Sequence, residues 1–287
     1  MLVRTANGPD PVGPRGAGRE LEGACTTADI EYTYEGLRLV GALALDDTVS
    51  GPRPAVLLCH GGTGLGDQVR HWTRRVAGLG CVAFALDCYG GGRELPPADL
   101  GPRFAELSAD PARARAIGRA GLDVLRSHEA ADPARVAAVG FCMGGTLALD
   151  LARDGEDLKA VVAFHADLAT PRPEDAGNIT GRVLVCAGTD DPFVPLEQRL
   201  AFEREMCAAG VDWRMILHGG VAHGFTNPAF DGTRPGIRYD GRAAERSWRA
   251  MVDLFEEELG TRITPCQPGV QHGEEARRGR AEDGRGE

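Results

Sequence analysis

Residues 136–145 read Val-Ala-Ala-Val-Gly-Phe-Cys-Met-Gly-Gly, an apolar run followed at once by a glycine-rich turn. The run has the composition of a buried strand, and residues 143–153 have the pattern of a helix. Glycines two positions before and two positions after Cys142 are typical of the sharp strand-to-helix turn that exposes a nucleophile, more often serine than cysteine. We predict that Cys142 stands on such a turn; the alternative is a buried cysteine beside a glycine-rich helix start.

Strand and helix signals alternate on both sides of this turn, over about residues 24–260. Short apolar runs predict strands at 55–59, 81–86, 136–139, 160–164, 183–187 and 213–217. Helical patterns lie near 67–79, 111–129, 143–153, 196–209 and 241–259. Residues 30–34 and 37–45, joined at Glu35 and Gly36, predict a leading antiparallel hairpin. This order predicts a single α/β domain, with a mostly parallel central sheet flanked by helices and ligands at the carboxyl ends of its strands.

The composition of the 287-residue chain excludes several classes of protein. The net charge is −10, with 42 acidic against 32 basic residues, which argues against nucleic acid or anionic membranes as partners. No apolar run approaches the roughly 20 residues of a membrane helix. The first residues lack an apolar export segment, and the eight cysteines form no C-x-x-C pair. We therefore expect a cytoplasmic protein with reduced thiols and no metal site.

The two ends of the chain differ from its middle. Residues 1–23 are rich in proline and glycine, and residues 261–287 are charged and contain no aromatic side chain. Such segments bury too little apolar surface to offset the entropy of ordering them. We predict disordered tails at 1–23 and 261–287, which leaves 24–260 as the folded domain.

A nucleophile on such a turn needs a base, and the base needs an acid to orient it. In this architecture both follow the nucleophile, each after the end of a later strand. His223 lies after the last predicted strand, flanked by glycine, and is the preferred base. Asp190 and Asp191 follow strand 183–187 and compete for the role of the acid; either could instead cap a helix. The competing histidines are His60, His165 and His218.

A fourth element, Cys59-His-Gly-Gly-Thr-Gly64, follows the first parallel strand. Backbone N–H groups of Gly61 and Gly62 can face an oxyanion there, together with the N–H of Met143. A phosphate-binding loop is the competing interpretation, but neither of the usual glycine signatures is present. An ordinary glycine turn is the other alternative.

These segments, in this order, resemble the dienelactone hydrolase family of α/β-hydrolases over roughly residues 28–260. The resemblance rests on the segments 51–58, 82–90, 140–145, 188–195 and 222–225. It implies the α/β-hydrolase fold and a Cys142–His223–Asp191 triad, and so favours Asp191 over Asp190. It also implies that Tyr89 lines the active site.

The sequence departs from this family at two positions. The dienelactone enzymes carry a glutamate that participates in activating the cysteine where this chain has Gly61. They carry an arginine that holds the substrate carboxylate where this chain has Asn227. Arg93 is a candidate to hold an anion instead, and we expect His165 and Phe225 to line the pocket.

The resemblance implies a hydrolase that cleaves a small ester or lactone through a cysteine thioester, without metal or organic cofactor. We expect it to act as a monomer or homodimer. Two other classes stay open: a non-hydrolytic cyclase, lyase or isomerase on the same scaffold, and a binding protein with a vestigial site.

Overall fold

The computed structural model describes residues 25–261, so the predicted tails fall outside the described residues except at residue 261. Its centre is a sheet of eight strands in the order β1-β2-β4-β3-β5-β6-β7-β8. The strands are β1 Cys25–Tyr34, β2 Leu37–Asp46, β3 Arg53–Cys59, β4 Val82–Leu86, β5 Ala131–Phe141, β6 Ala160–Phe164, β7 Arg182–Gly188 and β8 Trp213–His218. The helices are α1 Asp67–Ala77, α2 Pro97–Ala109, α3 Pro111–Ser127, α4 Met143–Arg153, α5 Leu196–Ala209 and α6 Gly241–Leu259, with a 3₁₀ helix at Pro173–Asn178.

The pairing directions agree with the prediction of a mostly parallel sheet. β1 pairs antiparallel with β2, and β2 pairs antiparallel with β4, while β3 to β8 are mutually parallel. The hairpin turns at Glu35 and Gly36, both with positive φ, which matches the twist of the flanking strands. Every residue of β3, β4 and β6 is buried, as strands covered on both faces require.

Helices cover both faces of the sheet, and each face has its own apolar core. On one face α3, α4 and α5 pack against the sheet, with Leu122, Leu151 and Phe202 fully or nearly fully buried. On the other face α1 and α6 do so, through Trp72 and Phe255. The sheet is therefore fixed on both sides, and the loops at the carboxyl ends of its strands stand on a rigid base.

Two elements were not predicted from the sequence, and both lie on the same side of the molecule. Helix α2 and the 3₁₀ helix both fall in stretches for which no helix was predicted. The apolar residues Leu100, Phe104 and Leu107 of α2 share one face, but that face lines the cavity, and Pro102 lies within the helix.

The described residues agree with two further expectations. None of the helices within 25–261 combines the length and apolarity needed to cross a bilayer. The cysteines in this range are all free thiols. The cytoplasmic location stays a prediction.

Candidate active site

Cys142 stands on a strained turn between β5 and α4. Its backbone has φ 54° and ψ −122°, a conformation that residues with a side chain rarely adopt. The turn is held because the Cys142 N–H donates to the Phe164 carbonyl at 2.9 Å, and the Cys142 carbonyl accepts from the Gly145 N–H at 2.9 Å. The Met143 N–H belongs to the first turn of α4, where backbone donors have no acceptor within the helix. The side chain of Cys142 is thereby presented at a helix N-terminus, which favours a negative charge on sulfur.

The glycines that flank Cys142 are required by close backbone contacts. A Cβ atom at Gly140 would lie 1.9 Å from the carbonyl oxygen of Gly144. A Cβ atom at Gly144 would lie 2.1 Å from the carbonyl oxygen of Cys59. The sequence pattern around Cys142 therefore reflects steric needs of the turn, and not only the high glycine content of the chain.

His223 and Asp191 meet beside Cys142, although they come from different strands. The Nδ1 atom of His223 lies 2.8 Å from Oδ2 of Asp191, and both side chains are buried. The other carboxylate oxygen of Asp191 accepts the Phe193 N–H at 2.9 Å. Cys142 lies close enough to His223 to raise the pKa of its ring. The carboxylate, the imidazole and the thiol thus lie together.

Two opposed effects act on the pKa of His223. Burial lowers it, but the hydrogen bonds to Asp191 and Cys142, with the charges of both groups, outweigh burial and raise the pKa to about 9. Asp191 therefore stabilises the imidazolium form and orients the ring so that Nε2 faces the sulfur. This is the arrangement that a histidine needs in order to take a proton from a thiol.

The glycine loop after β3 is held by two side chains. His60 is fully buried, and its Nε2 accepts the Cys88 N–H at 3.0 Å. Its proton therefore lies on Nδ1, which donates to the Gly61 carbonyl at 2.7 Å. Burial lowers the pKa of His60, in keeping with a neutral ring. The Tyr89 hydroxyl donates to the next carbonyl, that of Gly62, at 3.2 Å.

These two contacts set the direction of the loop N–H groups. In a trans peptide the N–H points opposite to the preceding carbonyl. With the carbonyls of Gly61 and Gly62 turned towards His60 and Tyr89, the N–H groups of Gly62 and Thr63 point the other way. Gly61 itself lies against the elbow, since a Cβ atom there would be 3.7 Å from Cβ of Cys142.

The position of Tyr89 is fixed by a buried carboxylate at the end of β4. Asp87 is fully buried, and its Oδ1 accepts the N–H groups of Tyr89 and Gly90 at 3.0 and 2.9 Å. Its Oδ2 accepts those of Gly92 and Val40 at 2.9 and 3.1 Å. Four donors to one carboxylate stabilise the turn that carries Tyr89.

His165 lies beside His223, but its ring bonds a different set of residues. Its ring contacts that of His223 edge to face, with centroids 4.9 Å apart. Its Nε2 bonds the Thr226 hydroxyl at 2.8 Å, and that hydroxyl accepts from Gln68 at 2.8 Å. Burial and the neighbouring His223 hold the pKa of His165 well below its usual range. Its buried Nδ1 has no hydrogen-bond partner among the described residues.

A cavity of about 850 Å³ opens over these groups at the carboxyl ends of the strands. Of the predicted site residues, Cys142, Met143, His223, Gly61, Gly62, His165 and Asn227 line it. Asp191 lies behind His223, away from the cavity. The structure therefore brings together the predicted triad and the predicted oxyanion loop.

Three predicted substrate contacts lie elsewhere, and this corrects the expectation for them. Tyr89 is buried behind the glycine loop, where it fixes a carbonyl. Arg93 is exposed and does not line the cavity. Phe225 is completely buried and packs against His165 and His218. Each of the three lies next to a motif in the sequence, but in the fold its side chain does not face the cavity.

Two aromatic side chains at the cavity were not foreseen. Phe193 is 53% exposed and packs edge to face on the ring of His223, with centroids 4.9 Å apart. Phe104 of α2 is 41% exposed and lies close to Gly62. Exposed aromatics beside a reactive group are typical of apolar ligand sites. Phe193 could have been found from the sequence, because it directly follows the Asp191-Pro192 pair. Phe104 could not, because it lies on α2, a helix that was not predicted.

A parallel sheet with a nucleophile elbow after β5, an acid after β7 and a histidine after β8 defines an α/β-hydrolase. The comparison with known families agrees, because the sequence model of the dienelactone hydrolase family matches residues 39–259. The chain belongs to the dienelactone hydrolase family.

Similar proteins support the same family. The crystal structure of P91, a dienelactone hydrolase-like promiscuous phosphotriesterase from metagenomic libraries, is 39% identical and superposes with a TM-score of 0.80. The match covers 83% of this chain and all of P91. A putative carboxymethylenebutenolidase of Aquifex aeolicus is 27% identical over 232 residues, which is 79% of this chain and 96% of that protein. A probable lactonase for 2-oxo-3-(5-oxofuran-2-ylidene)propanoate from Bradyrhizobium is 24% identical over 70% of this chain and 82% of its own length.

Proposed function

We propose that this protein hydrolyses carboxylic esters or lactones, with Cys142 as the nucleophile and a thioester as the intermediate. The observation that carries the proposal is the hydrogen bond between His223 and Asp191 beside Cys142, at the wall of a large cavity. The names of the family and of the relatives point to the same class of reaction.

In the first half-reaction the sulfur attacks the carbonyl carbon as a thiolate, while the proton of the Cys142–His223 pair stays on the imidazole, as the raised pKa of His223 favours. The oxygen then carries negative charge, which the N–H groups of Met143 and Gly62 stabilise; one such donor is typically worth about 3 kcal/mol. The carbon–oxygen bond breaks, and His223 returns its proton to the leaving alcohol. The acyl group stays on Cys142 as a thioester.

In the second half-reaction water enters the same site. His223 accepts a proton from the water, whose oxygen attacks the thioester carbonyl. The carbon–sulfur bond breaks, the carboxylic acid leaves, and Cys142 regains its proton from His223. Asp191 stays ionised throughout and keeps Nε2 directed at the reacting atoms.

The two departures from the family pattern bear on the substrate. Gly61 places no carboxylate beside Cys142, so the thiol depends on His223 and the end of α4 for its activation. Asn227 occupies the place of the carboxylate-binding arginine, and its side-chain oxygen accepts the Ala229 N–H at 3.0 Å instead. We infer that a carboxylate on the substrate is not required for binding.

A second activity, hydrolysis of phosphotriesters, is favoured by the likeness to P91 over its whole length. The same sulfur would attack phosphorus, and the same N–H groups would bind the phosphoryl oxygen. A non-hydrolytic cyclase, lyase or isomerase is the alternative that uses Cys142 without water.

The test is a panel of p-nitrophenyl acetate, dihydrocoumarin and paraoxon, with product mass measured for each. We expect products that have gained the elements of water, and a loss of at least about 10³-fold in kcat/KM for Cys142→Ala. The matched control is Cys207→Ala, the same change at an exposed thiol of α5, which leaves turnover unchanged. Full turnover by Cys142→Ala would contradict the mechanism, and products isomeric with the substrate would favour the alternative.

A further inference from the structure

The cavity is not confined to the surroundings of Cys142, because it continues along one face of α4. The lining residues Met143, Leu147, Asp150 and Asp154 are spaced at i, i+4, i+7 and i+11, which is one stripe of a helix. From the first to the last of them the helix rises about 17 Å. We call this part of the cavity the α4 trough.

The walls of the α4 trough include the two elements that the sequence did not predict. Helix α2, together with the start of the predicted helix α3, forms one wall, through Leu107 and Ala114 among others. The segment 169–175, which runs into the 3₁₀ helix, lines the other. Leu147 lies on the floor between them. The part of the trough nearer Cys142 is thus largely apolar.

The far end of the trough is polar, and its charges are nearly all paired. Arg153 is buried and holds Glu205 through two hydrogen bonds, of 2.8 and 3.0 Å, as well as Asp150 at 3.2 Å. Arg115 lines this end and pairs with Asp154 at 3.6 Å, a separation too long for a hydrogen bond. Its side chain is 23% exposed, so part of the guanidinium group remains accessible from the cavity, and no unpaired carboxylate faces it.

We propose that the substrates are elongated, uncharged esters, whose longer group lies in the α4 trough and ends in a hydrogen-bond acceptor at Arg115. The proposal rests on the proposed function, in that the reacting carbonyl is placed at Cys142. An extended chain covers about 3.5 Å in three bonds, so the trough accepts on the order of 14 bonds. A small lactone would leave most of it empty.

The first test is the chain-length dependence of hydrolysis. Each buried methylene contributes up to about 0.8 kcal/mol to binding. For a trough open to solvent on one side we expect about half of that, which multiplies kcat/KM by about two for each methylene. Decanoate has eight more methylenes than acetate, so the ratio of kcat/KM for p-nitrophenyl decanoate to that for the acetate should be about 250-fold. The alkyl acetates are run as a second series, because either side of the ester bond can be the longer one. A flat dependence in both series would overturn the proposal.

Blocking the trough should abolish this dependence. In Ala114→Trp the new side chain projects from the wall, and we expect the decanoate-to-acetate ratio to fall at least tenfold. Ala112→Trp is the matched control, because Ala112 lies on the same helix, is exposed and does not line the cavity; it keeps the wild-type ratio. An equal ratio in the two variants would overturn the proposal.

The polar end is tested by comparing an ω-methoxy ester with the plain alkyl ester of the same length. The wild-type protein should prefer the methoxy ester by about threefold to tenfold, the value of one hydrogen bond, and Arg115→Met should lose that preference. A preference that survives in Arg115→Met would refute the role of Arg115.

Binding separates this proposal from the hydrolase proposal. Methyl ketones of increasing chain length are titrated calorimetrically into Cys142→Ala, with and without Ala114→Trp. Affinity that rises with length, and does so only without the tryptophan, supports the trough even if no ester is hydrolysed. Hydrolysis without any length dependence in rate or affinity overturns the trough and leaves the proposed function intact.

Discussion

Replacing Asp191 by asparagine perturbs the site at the residue that sets the charge of His223. The carboxylate accepts two N–H groups, from His223 at 2.8 Å and from Phe193 at 2.9 Å. An amide side chain has one oxygen, so it can accept only one of the two in the same geometry. We expect His223 to lose its partner, to change tautomer and to place a proton on the nitrogen that faces Cys142.

The size of the effect follows from the pKa of His223. It is raised from 6.5 to about 9, a difference that corresponds to about 3 kcal/mol. Burial acts in the lowering direction and is the largest single cause. Without the carboxylate the two causes that come from Asp191 are lost and burial is opposed by Cys142 alone, so the pKa of His223 should fall well below 9. We expect kcat/KM for p-nitrophenyl acetate to fall on the order of 10³-fold.

The assay is an NMR titration of the histidine rings in wild type, Asp191→Asn and the control Asp190→Asn, which changes the exposed neighbour. The His223 signal, assigned by its loss in His223→Gln, should titrate near 9 in wild type and control and well below 9 in Asp191→Asn. A midpoint near 9 in Asp191→Asn would refute the reasoning.

His223 should also make the stability of the protein depend on pH. The folded pKa of His223 lies above its unfolded value, so its stabilisation is fully present below about pH 6.5 and is lost as the pH rises through about 9. The free energy of unfolding of wild type should therefore fall by up to about 3 kcal/mol across this window. Urea denaturation at several pH values measures it, and an equal fall in Asp191→Asn would contradict the assignment to His223.

Three further substitutions test other parts of the account. Gly140→Ala should lower the free energy of unfolding by about 3 kcal/mol or more because of its backbone clash. Gly101→Ala, on α2, should change it by less than about 1 kcal/mol, because the new Cβ meets only its chain neighbours and the following Pro102 offsets the helix propensity of alanine. Equal effects in urea denaturation would contradict this. Arg153→Met leaves the Glu205 carboxylate buried and unpaired, at a cost of about 3–5 kcal/mol, and adding Glu205→Leu should recover most of it. Tyr89→Phe removes the hydroxyl that fixes the Gly62 carbonyl, so kcat should fall about tenfold with little change in KM; an unchanged kcat would exclude that role.

The sheet and the elbow could be predicted from the sequence because their causes are local. A strand buried on both faces has to be an apolar run, and β3, β4 and β6 are each short and wholly buried. The glycines around Cys142 are dictated by backbone contacts of about 2 Å within the turn itself. The order of acid and histidine after the elbow follows from the order of the strands.

Helix α2 could not be predicted, because its sequence carries little of the usual signal. It contains Pro102 in its interior, and Leu107 is its buried residue. Leu100, Phe104 and Leu107 have the spacing of one helix face, but Gly101 and Pro102 interrupt them, and such residues are typical of turns. The part of the cavity wall that α2 forms could therefore not be predicted, although the motifs around Cys142 could.

Side-chain direction explains why only some of the predicted lining residues face the cavity. His223 and Phe225 are two residues apart in one loop, yet one lines the cavity and the other is fully buried. Tyr89 acts on the glycine loop from behind, through a bond that only the folded structure reveals. The role of each cavity residue in the reaction stays a proposal until it is measured.

The central claim is that Cys142 carries the acyl group during turnover. The most direct measurement is rapid acid quench after mixing with p-nitrophenyl acetate, followed by mass spectrometry of the peptide that contains Cys142. We predict an acetyl adduct on that peptide within the first turnover, labile to hydroxylamine and present on no other cysteine. Product formation at the full rate with Cys142 unmodified at every time point would contradict the account.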